Sequence, residues 1–173
     1  MALVMIKVLM LPEDRMAVVI GKRGATKAEI AKKTKTEITI GDGVEIKGEA
    51  INVLTAENII TAIARGFSPK NAMLLLDENN TMDIIDLPKD DKKLKRIRSR
   101  LIGTNGKCRR NMELLTKTKI SIYGRTVGII GNYENVELAK EGIGRLIKGI
   151  AHRNVYEYIE SHQQTITAET NEF

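Results

Sequence analysis

The chain has no tryptophan, only two phenylalanines and four tyrosines, one cysteine and two histidines among 173 residues. A single thiol, Cys108, excludes an internal disulfide framework and any zinc cluster built on cysteine, and it fits a reducing, cytoplasmic compartment. So few aromatic rings leave little platform for ring stacking, so a ligand has to be held by charge and aliphatic surface. No stretch reaches the ~18 consecutive apolar residues of a membrane span. The apolar start, Ala2 to Leu11, is interrupted by Lys7, has no basic segment before it and runs into Pro12-Glu13-Asp14 instead of a small-residue cleavage site. It reads as a strand, not a leader.

Catalytic signatures are equally sparse. Gly-x-x-x-x-Gly-Lys-Ser/Thr is not formed anywhere, which excludes a P-loop. His162 has no evident catalytic partner, and His152 is as consistent with a helix-terminus or surface residue as with a base. The carboxylates Asp83, Asp86, Asp90 and Asp91 are a conceivable magnesium cluster for nuclease chemistry, but a scattered acidic run is ordinarily solvated surface. No catalytic residue, metal ligand or cofactor is assigned.

What the chain does have is charge in one place. Its 28 Lys and Arg against 22 Asp and Glu give +6 at neutral pH. Between Lys89 and Arg110, ten basic residues face only Asp90 and Asp91, a local net of +8, so the remainder carries −2. Solvated surface ordinarily alternates in sign, and this segment hardly does; the localisation favours a polyanionic partner, nucleic acid first.

The chain also repeats itself. Gly21-Lys22-Arg23-Gly24 recurs 82 residues later as Gly103-Thr104-Asn105-Gly106, and the same offset carries Ile20 onto Ile102, Ile30 onto Met112, Thr34-Lys35-Thr36 onto Thr116-Lys117-Thr118, and Ile38 onto Ile120. Beyond that the offset becomes 83, taking Gly48 to Gly131 and Arg65-Gly66 to Lys148-Gly149. Register held over that distance identifies two copies of one unit.

Each copy opens with a short strand, Leu3 to Met10 and Asp83 to Leu87. A helix follows and runs into the glycine loop; in the second copy Leu94, Ile97 and Leu101 share one face, with Lys93, Arg96 and Arg100 on the others. A second helix, Ala25 to Thr34 or Lys107 to Thr116, buries Ile30 or Cys108 and Met112. Then come two strands with alternating patterns around short turns, and a closing helix. Ser68-Pro69 reads as an N-cap and first helical residue of a short connecting helix. The order strand, helix, helix, strand, strand, helix predicts an α+β chain with a first module over 1–80, a second over 81–162 including a short terminal helix from Asn154 to His162, and a disordered tail at 163–173.

A glycine loop just before a helix N-terminus lets phosphate oxygens approach unpaired backbone amides, and Lys22, Arg23, Lys107, Arg109 and Arg110 add attraction that reads no sequence. Two such loops in this element order resemble the type I KH module, which clamps about four nucleotides of single-stranded RNA on its loop and the adjacent groove. The resemblance implies RNA contact by Gly21, Lys22, Arg23, Gly24, Ile102, Gly103, Thr104, Asn105, Gly106, Lys107, Arg109 and Arg110. By the same resemblance Ile20 and Ile102, before the loops, and Ile38 and Ile120 on the strands are candidates for the groove floor, with ordinary core packing as the competing reading.

Nearly the whole chain, through Arg65-Gly66-Phe67-Ser68-Pro69, Ile102-Gly103-x-x-Gly106-x-x-Arg109-Arg110 and Gly149-x-x-His152-x-x-Val155-Tyr156, is similar to the archaeal branch of the Partner of Nob One family of ribosome-assembly factors. That similarity implies two KH modules packed as a compact unit, bound to the 3′ region of small-subunit ribosomal RNA. It also implies contact with the Nob One endonuclease and the alpha subunit of archaeal initiation factor two, and no catalysis. Eukaryotic members have a degenerate first loop, whereas Gly21 to Gly24 here is intact. Three other readings stay open at this point: a KH factor of transcription or RNA turnover, a KH-fold scaffold for protein contacts, and a nuclease.

A ligand held by phosphate contacts is salt-sensitive. Affinity for a single-stranded oligonucleotide, followed by fluorescence anisotropy, falls by about tenfold or more as salt is raised from 50 to 200 mM; an unchanged affinity contradicts the phosphate-clamp reading.

Overall fold

The computed structural model describes residues 2–171. The chain divides between Glu78 and Asn79 into two compact units. In the first, strand β1 (Val4–Leu9) leads to helices α1 (Glu13–Ile20) and α2 (Ala25–Thr34), then β2 (Glu37–Ile40), β3 (Val44–Glu49) and α3 (Ala50–Ala64). The second repeats the plan with β4 (Asn80–Asp86), α5 (Asp91–Ile102), α6 (Lys107–Thr116), β5 (Lys119–Tyr123), β6 (Thr126–Asn132) and α7 (Tyr133–Ile147). Between them lies α4 (Pro69–Ala72), prolonged by a 3₁₀ turn to Leu76, and after them α8 (His152–Asn171). Ser68 caps α4 as its position beside Pro69 predicts, its Oγ accepting from Asn71 N at 3.2 Å.

Both sheets are antiparallel with the third strand of each unit in the middle, β1-β3-β2 and β4-β6-β5. The pairings Met5↔Gly48 and Thr81↔Gly131 occupy the same place in the two ladders. Period 2 then sends Ile38, Val44 and Ile46 in one unit, and Ile120, Val127 and Ile129 in the other, to the helix-covered face, where all six are buried. In the second unit the sheet residues join Ile97, Leu101, Cys108, Met112, Val136, Ile143 and Leu146 in one core.

The repeated Thr-Lys-Thr has a shared physical role. Thr34 Oγ1 donates to Ile30 O at 2.7 Å and Thr116 Oγ1 to Met112 O at 2.6 Å. With that proton committed, Thr36 and Thr118 donate to the same oxygens, at 2.8 and 2.7 Å. The intervening Lys35 and Lys117 adopt φ of 56° and 55°, the left-handed turn that stops each helix and starts the strand.

A second shared device spans the repeat without sharing a position. Arg15 on α1 donates to Ile63 O at 2.7 Å and Phe67 O at 2.9 Å, at the C-terminal end of α3. Arg100 on α5 does the same at the end of α7, to Leu146 O at 2.8 Å and to Ile150 O. Those carbonyls correspond across the offset of 83, but the arginines sit on different turns of their helices. Each guanidinium places a cation against orphan carbonyls at a helix end.

The tail departs from expectation: α8 begins at His152, two residues before the expected start, and residues 163–171, read from the sequence as disordered, are helical. Glu172 and Phe173 lie outside the described residues. Val155 and Ile159 are fully buried, and the stripe continues through Gln163 and Ile166 at helical spacing. Gln163 interrupts the apolar pattern; its Nε2 donates to Asn135 Oδ1 at 3.2 Å on α7, while its Oε1 is buried without a hydrogen-bond partner among the described residues. Arg145 on α7 stacks 3.7 Å over the Tyr158 ring, a further tie between the two helices.

The threonine pair gives the fold a direct test. Thr116→Val strands the buried Thr118 hydroxyl and lowers unfolding free energy in urea by about 2 kcal/mol, while adding Thr118→Val recovers part of that loss. Additive losses in the double variant contradict the coupling.

Candidate nucleic-acid interface

The two glycine loops have the same backbone. Gly21 and Gly103 stand at φ 70°, ψ −179° and φ 74°, ψ 176°, the third loop residues Arg23 and Asn105 at φ 54°, and Gly24 and Gly106 at φ 74° and 75°. The first glycine of each loop is required twice over. Besides its positive φ, a Cβ on Gly21 would lie 2.2 Å from Thr26 Oγ1, and one on Gly103 would lie 2.8 Å from the Cys108 Cβ and backbone N. A Cβ on Gly24 meets nothing, so its requirement is conformational alone. Asn105 is better suited to the left-handed position than Arg23, because its short amide tolerates that region.

The sharp corner between α5 and α6 presents the start of α6 to solvent. In the second unit α5 is capped by Asp90, whose Oδ1 accepts from Lys93 N at 2.9 Å, and α7 by Asn132, accepting from Asn135 N at 2.9 Å. No side chain caps α6. Its first amides are left for an external acceptor, and the positive end of the helix dipole favours an anionic one.

Charge around the second loop is freer than its acidic neighbours suggest. Asp90 is spent on the cap, and Asp91 pairs with Arg125 at 2.8 Å. Among the described residues none of Lys92, Lys93, Lys95, Arg96 and Arg98 forms an ion pair. The side chains beyond the loop are more committed than their sequence position implies. Arg110 Nη1 donates to Asn105 O at 2.6 Å, tying down the loop apex, and Arg109 pairs with Glu113 at 3.0 Å. That Glu113 oxygen also accepts from Ile120 N at 2.9 Å, joining α6 to the edge strand β5. The first copy carries Ala28 where the second has Arg110 and Ala31 where it has Glu113, so neither tie exists there.

A narrow apolar cleft with only about 10 Å³ of free space lies between α5, α6 and β5, walled by the core residues Leu101, Met112, Ile120, Val127, Ile143 and Leu146, with Ile122 and Arg109 half-buried at its edge. The sequence-derived floor is partly displaced. Ile38 and Ile120 are core residues, each 5% exposed, whereas Ile40 and Ile122, two residues further along the same strand face, are half-buried. Ile20 and Ile102, last in the helices before the loops, are also half-buried. Period 2 could have nominated Ile122; its accessibility depends on how far the strand passes the helix ends.

The acidic residues do not assemble. Asp83 is bound by Lys140 at 2.7 Å, and that hydrogen bond holds its carboxyl below the usual range while the Lys140 ammonium is raised. Among the described residues no three His, Cys, Asp or Glu side chains are grouped to hold a metal ion.

Next to the second loop the fold brings together residues that the sequence pattern left apart. Cys108 is buried beneath Tyr156 of α8, and burial pushes its thiol up. The Tyr156 phenol, bonded to Cys108 and Asn111, is pushed up to about 12, chiefly by burial. His152 Nε2 lies 3.0 Å from Arg100 O. These residues come from three helices, and only the packing of α8 across α6 unites them.

Comparison with known proteins gives the arrangement its relatives. Residues 78–164 match the family model of the second PNO1 module, described as a eukaryotic-type KH domain (KH-domain type I), and residues 6–62 match the KH domain model. The chain is 37% identical over 171 residues to KH domain-containing protein MJ0443 of Methanocaldococcus jannaschii, spanning 93% of this chain and 75% of that one. It is 31% identical over 117 residues to the pre-rRNA-processing protein PNO1 of Chaetomium thermophilum, covering 64% of this chain and 44% of that protein, so the chain spans less than half of that longer relative. Among solved structures, a chain of the a/eIF2alpha–aDim2p–rRNA complex from Pyrococcus horikoshii OT3 is 40% identical with a TM-score of 0.87, over 94% of this chain and 96% of that one. With two type I modules in series, and a match to the archaeal relative over most of both chains, this chain belongs to the PNO1-type branch of the KH-domain proteins.

Proposed function

We propose that this protein is a non-catalytic RNA-binding factor of ribosome assembly, holding single-stranded ribosomal RNA at the 3′ region of the small-subunit transcript. The observation that carries the reading is the second loop: an uncapped helix start behind Gly103 to Gly106, beside a run of basic side chains without acidic partners. The relatives support it in kind, since one is named a pre-rRNA-processing protein and another was crystallised in a complex with rRNA and a/eIF2alpha.

In this reading the α6 amides and Lys107 take the phosphates, Thr104 and Asn105 form the approach, and the strand's bases lie over the half-buried surfaces of Ile102 and Ile122. Arg110 acts mainly on the loop, engaging the Asn105 carbonyl, and Arg109 serves both the cleft edge and Glu113. Gly21, Lys22, Arg23 and Gly24 offer the same backbone with fewer cations nearby and contribute less. A contact with the alpha subunit of initiation factor two, and another with the Nob One endonuclease, complete the proposal, with the cytoplasm as the place of action.

The unequal loops supply the test. Thr104→Asp with Asn105→Asp weakens binding of a small-subunit rRNA 3′-end oligonucleotide by at least about tenfold, more than Lys22→Asp with Arg23→Asp, although the latter pair removes more positive charge. The opposite ranking in anisotropy titrations refutes the assignment to the second loop. Sequencing of RNA crosslinked in cells should enrich the 3′ end of the small-subunit rRNA; enrichment elsewhere removes the specific target and leaves RNA binding standing.

A further inference from the structure

A cavity of about 430 Å³ lies between α5, α6 and α8, within the size range of small-ligand sites. It shares no lining residue with the apolar cleft, and it adjoins the second loop through Gly103, Thr104 and Lys107. Its polar lining consists of the cations Arg100 and Lys107, the hydroxyls of Ser99, Thr104 and Tyr156, the Asn111 amide and the His152 ring, with no carboxylate.

We propose that this cavity is a second seat for the bound strand, taking one ribonucleotide that neighbours those clamped on the Gly103–Gly106 loop. The inference rests on the RNA-binding reading and extends it to a face of the helices that the groove does not use. Cations without a competing carboxylate suit a phosphate, while hydroxyls and an amide, each able to donate and accept, suit a ribose 2′-hydroxyl and a base edge.

The seat is preformed. Arg100 is fixed by its bonds to Leu146 O and Ile150 O, and its own carbonyl lies within hydrogen-bond distance of His152. Tyr156 keeps its proton at neutral pH, and its phenol is held in place by Cys108 and Asn111, with the oxygen's remaining lone pair left to accept from a ligand. The polarity is specific to the second copy. Across the offset of 82, Ser99, Arg100 and Lys107 correspond to Ala17, Val18 and Ala25, and at the offset of 83 the first unit has only the short α4 and its 3₁₀ turn in the place of α8, with Met73 opposite Tyr156. Positions that are small or apolar in the first copy are polar in the second, beside the longer helix.

Oligoribonucleotides of four to eight residues, lengthened one nucleotide at a time from either end, test this with the full chain. Wild type shows a gain of about tenfold at one added nucleotide, at one end only. Ser99→Tyr, which fills the mouth from an exposed helical position, abolishes that step and keeps tetranucleotide affinity within about twofold, and Tyr156→Phe reduces the step. A step that survives Ser99→Tyr, or an equal loss at every length, overturns the proposal. Saturable binding of free uridine monophosphate without any length step makes the cavity a mononucleotide site and overturns it as well. If wild type binds no oligonucleotide of any length, the RNA-binding reading falls, and this inference with it.

Discussion

The structure depends on one steric constraint, the corner at the first glycine of each loop. Thr26 and Cys108 on the second helices crowd the position where a side chain would begin, so two helices can meet this closely only if that residue has no Cβ. The close meeting sets the rest. It packs α1 on α2 and α5 on α6 over their sheets, ends the loop in left-handed geometry, and turns the first amides of α2 and α6 outward.

The two copies keep the corner and diverge in what surrounds it. In the second, Arg110 holds the loop apex, Glu113 links Arg109 to the edge strand, and a long final helix packs across α6 and α7. The first copy has alanine at the positions of Arg110 and Glu113. The same backbone therefore carries a braced loop with its cations on the flanking helices in one unit, and in the other a loop with its own cations, Lys22 and Arg23, and neither of these ties; rigid placement of donors lowers the ordering cost of binding.

Pairs of side chains that serve the same end from different positions show how repeats drift. Arg15 and Arg100 brace corresponding carbonyls of α3 and α7 from different helical turns, which a long flexible side chain permits. The threonine pairs, by contrast, stay in register because a short hydroxyl can reach only the carbonyl one turn back and the residue two ahead. Short-range hydrogen bonding preserves register, and long side chains release it.

Much was legible without coordinates. The element order, the type I plan and the two loops follow from the repeat and from the periods 2 and 3.6, because these are local properties of the chain. The sequence by itself determined where α2 and α6 run, that Cys108 is a buried small side chain, and that positive charge gathers at the second loop. Tertiary structure alone decided which of those side chains are braced against Asn105, Glu113 and Leu146, that Ile122 and not Ile120 is the accessible strand residue, and that the half-buried Gln163 continues the stripe of α8. It also decided that Tyr156, 53 residues beyond the second loop's first glycine, closes a cavity beside that loop. Each of these depends on which side chain meets which partner across helices far apart in the chain, and no local pattern encodes that.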